Sequence, residues 1–230
     1  MELEPSVERA LKQAGAAALT FNAPLGRPRA DHIAGFLARA GGSVVDLGCG
    51  AGALATLIAE RSPGTQVLGL DLDPTLIMRA KRAAGLQDCL RFEVADVTTW
   101  PGVADAAVCI GASHAFGGSA AMFRWLSERV GAAVVGDGIW WRDPDPENLE
   151  RLGPMPRGVD ALAALAEAEG WRVEHRDVST LEEWDEFELG WIGGVRAVGS
   201  EEAHAFAAMR SAQYQRYRGV LGFGWLYLGR

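Results

Sequence analysis

Five short apolar runs, at 43–47, 66–71, 90–94, 106–110 and 132–136, are separated by segments of helical character. Strands covered on both faces read as continuous apolar runs rather than as alternating ones. Strands that alternate with helices are joined by right-handed crossovers into a doubly wound parallel sheet. The intervening helices are predicted at 53–60, 75–84 and 116–128. Glycines precede the first and last of these, and Pro74 stands at the start of the second. Helices at 6–19 and 31–40 precede the alternation, the second with Asp31 as its cap, and Pro24 and Pro28 break the chain between them. After the fifth run come a helix at 159–169, a sixth strand at 171–178, charged and aromatic-rich helices over 179–219, and a last strand at 223–228. No repeat or low-complexity linker divides the chain. One domain is expected: an N-terminal helical cap (1–40), a core (41–178), a helical insert or lid (179–220) and a final strand (221–230).

At 230 residues such a domain buries enough surface to fold without staples. Cys49, Cys89 and Cys109 are odd in number and show neither paired spacing nor a Cys-x-x-Cys. Neither a disulfide framework nor a metal site is therefore expected, and the reducing cytoplasm suits the chain. The acidic start Met1-Glu2-Leu3-Glu4 lacks the basic-then-apolar order of a leader, and no apolar run approaches a membrane span. A formal charge of −8 argues against a general nucleic-acid binder, whose footprint is basic. Nothing in the sequence sets an oligomeric state.

Three acidic motifs stand at the ends of three successive strands. Asp46-x-Gly48-x-Gly50-x-Gly52 spans the first strand-to-helix turn. There, glycine permits a sharp turn and close approach of a ligand to the main chain, and the helix start offers free amides. Asp71 ends the second strand, 21 positions after Gly50, where a carboxylate can accept from two ribose hydroxyls. Asp96 follows the third strand and can accept from an amino group; a simple turn aspartate fits it equally well. Asp73, beside Pro74, fits a helix cap better than a ligand contact. A dinucleotide-dependent oxidoreductase stays open on the turn alone, because Gly48-x-Gly50-x-x-Ala53 satisfies that pattern as well. Asp46 tells against it, since its charge would repel a pyrophosphate yet suits an ammonium group. No Tyr-x-x-x-Lys pair is present.

Residues 44–52, 69–74, 93–97 and 105–111 together resemble the successive motifs of class I (Rossmann-like) S-adenosylmethionine-dependent methyltransferases, a likeness that covers roughly 41–140. It implies a seven-stranded, mostly parallel sheet with its last strand antiparallel, and S-adenosylmethionine as cofactor with S-adenosylhomocysteine as product. By position, Gly48, Gly50 and Gly52 would pack against the methionine part of the cofactor, Asp71 would bind ribose and Asp96 would face adenine. Leu72 and Val97 would flank the adenine, and Ile110 and Gly111 would pass beneath the methionine end. The stretches Ser113-His114-Ala115-Phe116-Gly117-Gly118 and Gly136-Asp137-Gly138-Ile139-Trp140 resemble a bacterial subgroup that acts on small molecules. A catalytically inert binder of the same fold is the further alternative.

The acceptor is expected beyond the fourth strand. His114 is the candidate base, imidazole being the side chain that exchanges protons near neutral pH; simple packing of the loop is the other role open to it. Asp137 and one of Trp140 and Trp141 are expected to line the pocket. Phe21 and Asn22, in the loop before the fold proper, and Trp184, with Phe187, Trp191, Tyr214 and Tyr217 of the insert, are expected to close it. At least half of those aromatics would serve the insert's own core. Glu182, Glu183, Asp185, Glu186 and Glu188 read most simply as a solvated face.

Overall fold

The structure is a computed structural model that describes residues 3–230; Met1 and Glu2 of the acidic start lie outside it. The described residues form a seven-stranded sheet. In chain order its strands are β1 (Ser43–Leu47), β2 (Gln66–Asp71), β3 (Leu90–Val94), β4 (Ala104–Ile110), β5 (Val130–Trp140), β6 (Arg172–Val178) and β7 (Leu221–Gly229). The spatial order is β3-β2-β1-β4-β5-β7-β6. The pairs among β1 to β5 are parallel, and β7 runs antiparallel to both β5 and β6. The order reverses between β1 and β4, the place where open α/β sheets leave a crevice beyond their strand ends.

The helices are α1 (Pro5–Ala17), α2 (Arg27–Ala38), α3 (Ala53–Arg61), α4 (Pro74–Ala84), α5 (Ser119–Ser127), α6 (Pro146–Leu152), α7 (Gly158–Ala168), α8 (Leu181–Arg196) and α9 (Glu201–Tyr217). Successive strand residues point to opposite faces, and the apolar runs supply both layers. Val44, Ala106, Val108, Val134, Trp225 and Tyr227 pack with α2, α3 and α4. Their neighbours Val45, Ala107, Cys109, Val135, Leu226 and Leu228 pack with α5 and α7. A third, smaller core joins Leu11 of α1 to Trp191, Ile192 and Val195 of α8 and Phe206 of α9.

Several expected boundaries shift. Asp31 does not cap α2, which begins four residues earlier with Pro28 in its first turn; its carboxylate accepts instead from Arg27 and Arg61. The expected helix at 116–128 divides into a 3-10 turn, Ser113–Phe116, and α5, separated by Gly117 and Gly118 at φ +85° and +119°. β5 runs on to Trp140, well past the expected 136, because β7 pairs with it as far as Trp140↔Leu221. α6 follows it, capped by Asp145; the sequence pattern gave no expectation of a helix there. Asp73 does cap α4, accepting from the Thr75 amide at 2.7 Å. No helix among the described residues is long and apolar enough to cross a membrane.

Candidate active site

β1 delivers the chain into a turn whose three alternate glycines all have positive φ: Gly48 at +78°, Gly50 at +57° and Gly52 at +79°. The amides of Gly48 and Cys49 both donate to the Leu70 carbonyl, at 2.8 and 2.9 Å, and so anchor the turn to β2. The last two of these glycines differ in use. A Cβ on Gly50 would meet nothing within 4 Å, so that face of the backbone is open. A Cβ on Gly52 would lie 2.6 Å from the Phe92 ring and 2.8 Å from Ala80. Gly52 is needed for the packing of α3 and α4 against the sheet and is not among the cleft-lining residues.

The turn opens on a cleft of about 390 Å³ at the carboxyl ends of β1, β2 and β4. Asp46, Gly48, Gly50, Asp71, Leu72, Asp96, Val97, Ile110, Gly111 and His114 all border it. Asp71 accepts from the Gly50 amide on one oxygen and the Asp73 amide on the other, both at 2.9 Å. Each oxygen keeps a lone pair for a further donor. Asp96 caps a 3-10 turn, Val97–Thr99, accepting from the Thr98 amide at 2.9 Å and hydroxyl at 2.7 Å with the same oxygen. Those two donors, the hydroxyl first, hold its carboxyl below the usual range. Leu72 stands 70% exposed on one side of the cleft, and the buried Val97 lies beneath it.

Asp46 is the unusual group. It is 4% exposed and has no cationic partner among the described residues. Burial raises its carboxyl to about 7, Asp71 adds to the rise, and the Ala55 amide opposes it. A carboxylate buried beside a second one is costly to ionise, and a cation entering the cleft would reverse that cost. The residues fit S-adenosylmethionine on these grounds: an open glycine face, acceptor carboxylates for hydroxyls, and a buried acid without a counter-ion. Among the described residues no cluster of three or more His, Cys, Asp or Glu is arranged to hold a metal ion.

His114 stands exposed in the 113–116 turn and faces the cleft. Asp137 was expected to line the pocket, but it is buried beneath this turn instead. It accepts from Ser113 Oγ at 2.9 Å, from Ser119 Oγ at 2.6 Å and from its own Gly138 amide at 2.9 Å. The 113–116 turn is thereby tied to the start of α5. The sign of this in the sequence is a strand-end aspartate with two serines flanking a Gly-Gly.

Phe21 and Asn22 border the cleft, with Leu19, Thr20, Ala23 and Leu25. The expected aromatic wall does not. Trp140 is buried behind β5, where its Nε1–H donates to the Gly153 carbonyl at 3.3 Å and its amide to the Pro156 carbonyl at 2.9 Å. Because β5 continues to residue 140, Trp140 is paired within the sheet and not on a loop at the strand end. Trp184 packs edge-on with Phe187, Tyr217 and Phe223 inside the core between α8 and the sheet. Tyr214 is buried there too.

The acids of α8 are not simply a solvated face. Glu188 is fully buried, bridging to Arg210 with both oxygens at 2.8 Å and accepting from Tyr217 Oη at 2.5 Å. Asp185 binds Arg218 and Tyr214, which lower its carboxyl to about 2. Glu183 binds Arg29 on both oxygens, accepts from the Gly26 amide at 3.0 Å and completes a capping box with Thr180. Glu182 and Glu186 are the two that face outward.

Comparison with known proteins agrees with this geometry. Residues 44–130 match the family model for a methyltransferase domain. The chain is 35% identical over 104 residues to a trans-aconitate 2-methyltransferase of Rhizobium meliloti (strain 1021), a match that covers 45% of this chain and 36% of that protein. It thus spans about a third of the length of the curated relative. Two solved structures share the fold along nearly their whole length. One is a methyltransferase from Geobacter sulfurreducens in complex with S-adenosylhomocysteine (TM-score 0.83, 22% identity, 96% of this chain and 98% of that one). The other is a methyltransferase from Thiobacillus denitrificans, also with S-adenosylhomocysteine (TM-score 0.79, 22% identity, 100% of both chains). The sheet order, the glycine turn and the domain match agree: the chain has the Rossmann-like fold of class I methyltransferases, and residues 44–130 are similar to a methyltransferase domain.

Proposed function

We propose that this chain transfers the methyl group of S-adenosylmethionine to a small organic molecule and releases S-adenosylhomocysteine. The observation that carries the reading is Asp46: a buried carboxylate with no cationic partner among the described residues, at the floor of a glycine-lined cleft. It suits a ligand bearing an ammonium group and would repel a pyrophosphate, which disfavours the oxidoreductase alternative. S-adenosylmethionine supplies an electrophilic methyl on a sulfonium whose sulfur keeps the bonding pair. Asp71 accepts from the ribose hydroxyls, Asp96 faces the adenine, and Leu72 and Val97 flank its ring. Gly50 lets the backbone lie close against the methionine part. His114 takes the proton that the acceptor loses, and Asp137 holds the turn that carries it. Phe21 and Asn22 roof the cleft and limit water. Alignment of acceptor and methyl is itself worth up to about 7–11 kcal/mol.

The whole chain acts as one methyltransferase domain, with 1–40 as cap, 41–178 as cofactor core, 179–220 as insert and 221–230 as the closing strand. Its cysteines are free, which suits a reducing compartment, and we place it in the cytoplasm. Thermal shift with S-adenosylhomocysteine and with NAD(P) tests the donor. Stabilisation by the first alone supports the reading, and stabilisation by NAD(P) alone overturns it. Transfer of labelled methyl to an acceptor separates an enzyme from an inert binder.

A further inference from the structure

Beside the cofactor cleft lies a larger cavity, about 870 Å³, bounded by α1, the start of α4, α8 and α9. Ala16, Asn22, Leu76 and Arg79 border both spaces, so the two are continuous. Its apolar lining is Ala14, Ala16, Ala17, Leu76 and Met209, with the edges of the buried Trp191 and Phe206 beneath. The lining also carries four cations, Arg9, Lys12, Arg79 and Arg210, and two acids, Glu8 and Asp73; Arg210 lies over the Trp191 ring. Lys12 is held by Glu8 at 2.6 Å and Arg210 by the buried Glu188 at 2.8 Å. Asp73 is occupied as the α4 cap. Arg9 and Arg79 have no carboxylate within ion-pair distance among the described residues, and Arg79 is half-buried at the junction with the cleft. In a chain of net charge −8, a cationic chamber is not a by-product of a basic surface.

We propose that this chamber binds an organic carboxylate, with its apolar body against Ala16, Leu76 and Met209 and its anionic group on Arg79 and Arg9. The planar guanidinium fork matches a carboxylate with two parallel hydrogen bonds. Glu8 and Asp73 in the same wall favour a single negative charge over a dianion. The proposal rests on the methyltransferase reading for what the acid is used for, but the binding can be read by itself.

The probes are 2-naphthoate and its neutral counterpart 2-naphthamide, titrated by naphthalene fluorescence into the full chain with and without S-adenosylhomocysteine. Naphthoate is expected to bind at least tenfold more tightly than the amide. Arg79→Gln is expected to lose that preference and Arg9→Gln to reduce it, with unchanged far-UV circular dichroism confirming the fold in each. Equal binding of acid and amide to wild type, or an undiminished preference in a folded Arg79→Gln, overturns the proposal. If wild type binds naphthoate selectively yet does not bind S-adenosylhomocysteine, the chamber stands and the methyltransferase reading fails. If S-adenosylhomocysteine binds and naphthoate is not preferred, the reverse holds.

Discussion

Replacing Asp46 by Asn should stabilise the empty protein and cripple its cofactor binding, with a pH signature that separates the two effects. In the fold the Asp46 carboxyl is raised from 3.8 to about 7, by burial first and by Asp71 second. The neutral form is therefore favoured in the folded state. Its contribution to stability is complete below about pH 4 and is lost as pH climbs to about 7. At 1.36 kcal/mol per pH unit, the ionised group costs the empty protein about 4 kcal/mol at pH 8. Asp46→Asn removes that cost, and at about 2–4 °C per kcal/mol for a domain of this size its melting point should exceed wild type by roughly 10 °C at pH 8. The gap should narrow to a few degrees by pH 4.5, where about 1 kcal/mol of the cost remains. Binding runs the other way. An ammonium group on the ligand prefers ionised Asp46, so wild-type affinity for S-adenosylhomocysteine should strengthen as pH rises to about 7, with uptake of ligand releasing up to one proton below that pH. Truncating one partner of a buried charge pair costs about 2–5 kcal/mol, so Asp46→Asn should bind at least about 30-fold more weakly. Thermal melts from pH 4.5 to 8.5, with calorimetry in two buffers of different ionisation enthalpy, measure all of this. A melting-point difference independent of pH, or wild-type affinity in the Asn variant, would refute the reasoning.

The other predictions are simpler. Gly50→Ala should weaken S-adenosylhomocysteine binding at least tenfold with a stability loss of about 1 kcal/mol, since only its open face and its φ of +57° are at stake; Gly52→Ala should cost about 1–3 kcal/mol in urea unfolding through its clash with Phe92 and Ala80. His114→Ala should lower turnover with the true acceptor by about 100-fold or more while cofactor affinity stays within a fewfold, and turnover within a fewfold of wild type rules out a base. Glu188→Ala leaves Arg210 and Tyr217 facing an uncompensated site, and should cost about 3–5 kcal/mol, a drop of order 10 °C in a thermal melt.

The acidic and glycine lining of the cleft was legible because its information is local. A strand, its last residue and the turn after it are consecutive in the chain, so Asp46, Asp71 and Asp96 could be assigned to adjacent strand ends from spacing alone, as could the sheet that brings them together. The rest of the site depends on contacts between distant segments. Trp140 was misread because β5 continues past Gly136, and what prolongs it is β7, more than 80 positions later. The acids of α8 looked like a solvated face because their partners lie on α2 and α9: Arg29 is 154 positions from Glu183, and Arg210 is 22 from Glu188. Helical periodicity shows which residues share a face; it does not show what packs there. The role of Asp137 was hidden for a smaller reason, since a strand end can present its side chain to the cleft or to the loop above it, and Ser113 and Ser119 draw it to the loop.

The segment carrying Phe21 and Asn22 is moored at both ends to one helix. On the α1 side, Gly15 lies against the Trp191 ring and Leu19 and Ala18 fill the places left by Gly190 and Gly194. On the α2 side, Glu183 holds the Gly26 amide and Arg29, and Ser179 Oγ donates to the Pro24 carbonyl just before α8 begins. Segment and helix are therefore joined as one unit. Any opening of the cleft through residues 19–25 must then displace α8 as well, so the rate of ligand entry should respond to the seam between α8 and β7, where Trp184 meets Phe223, more than to stiffening of residues 19–25.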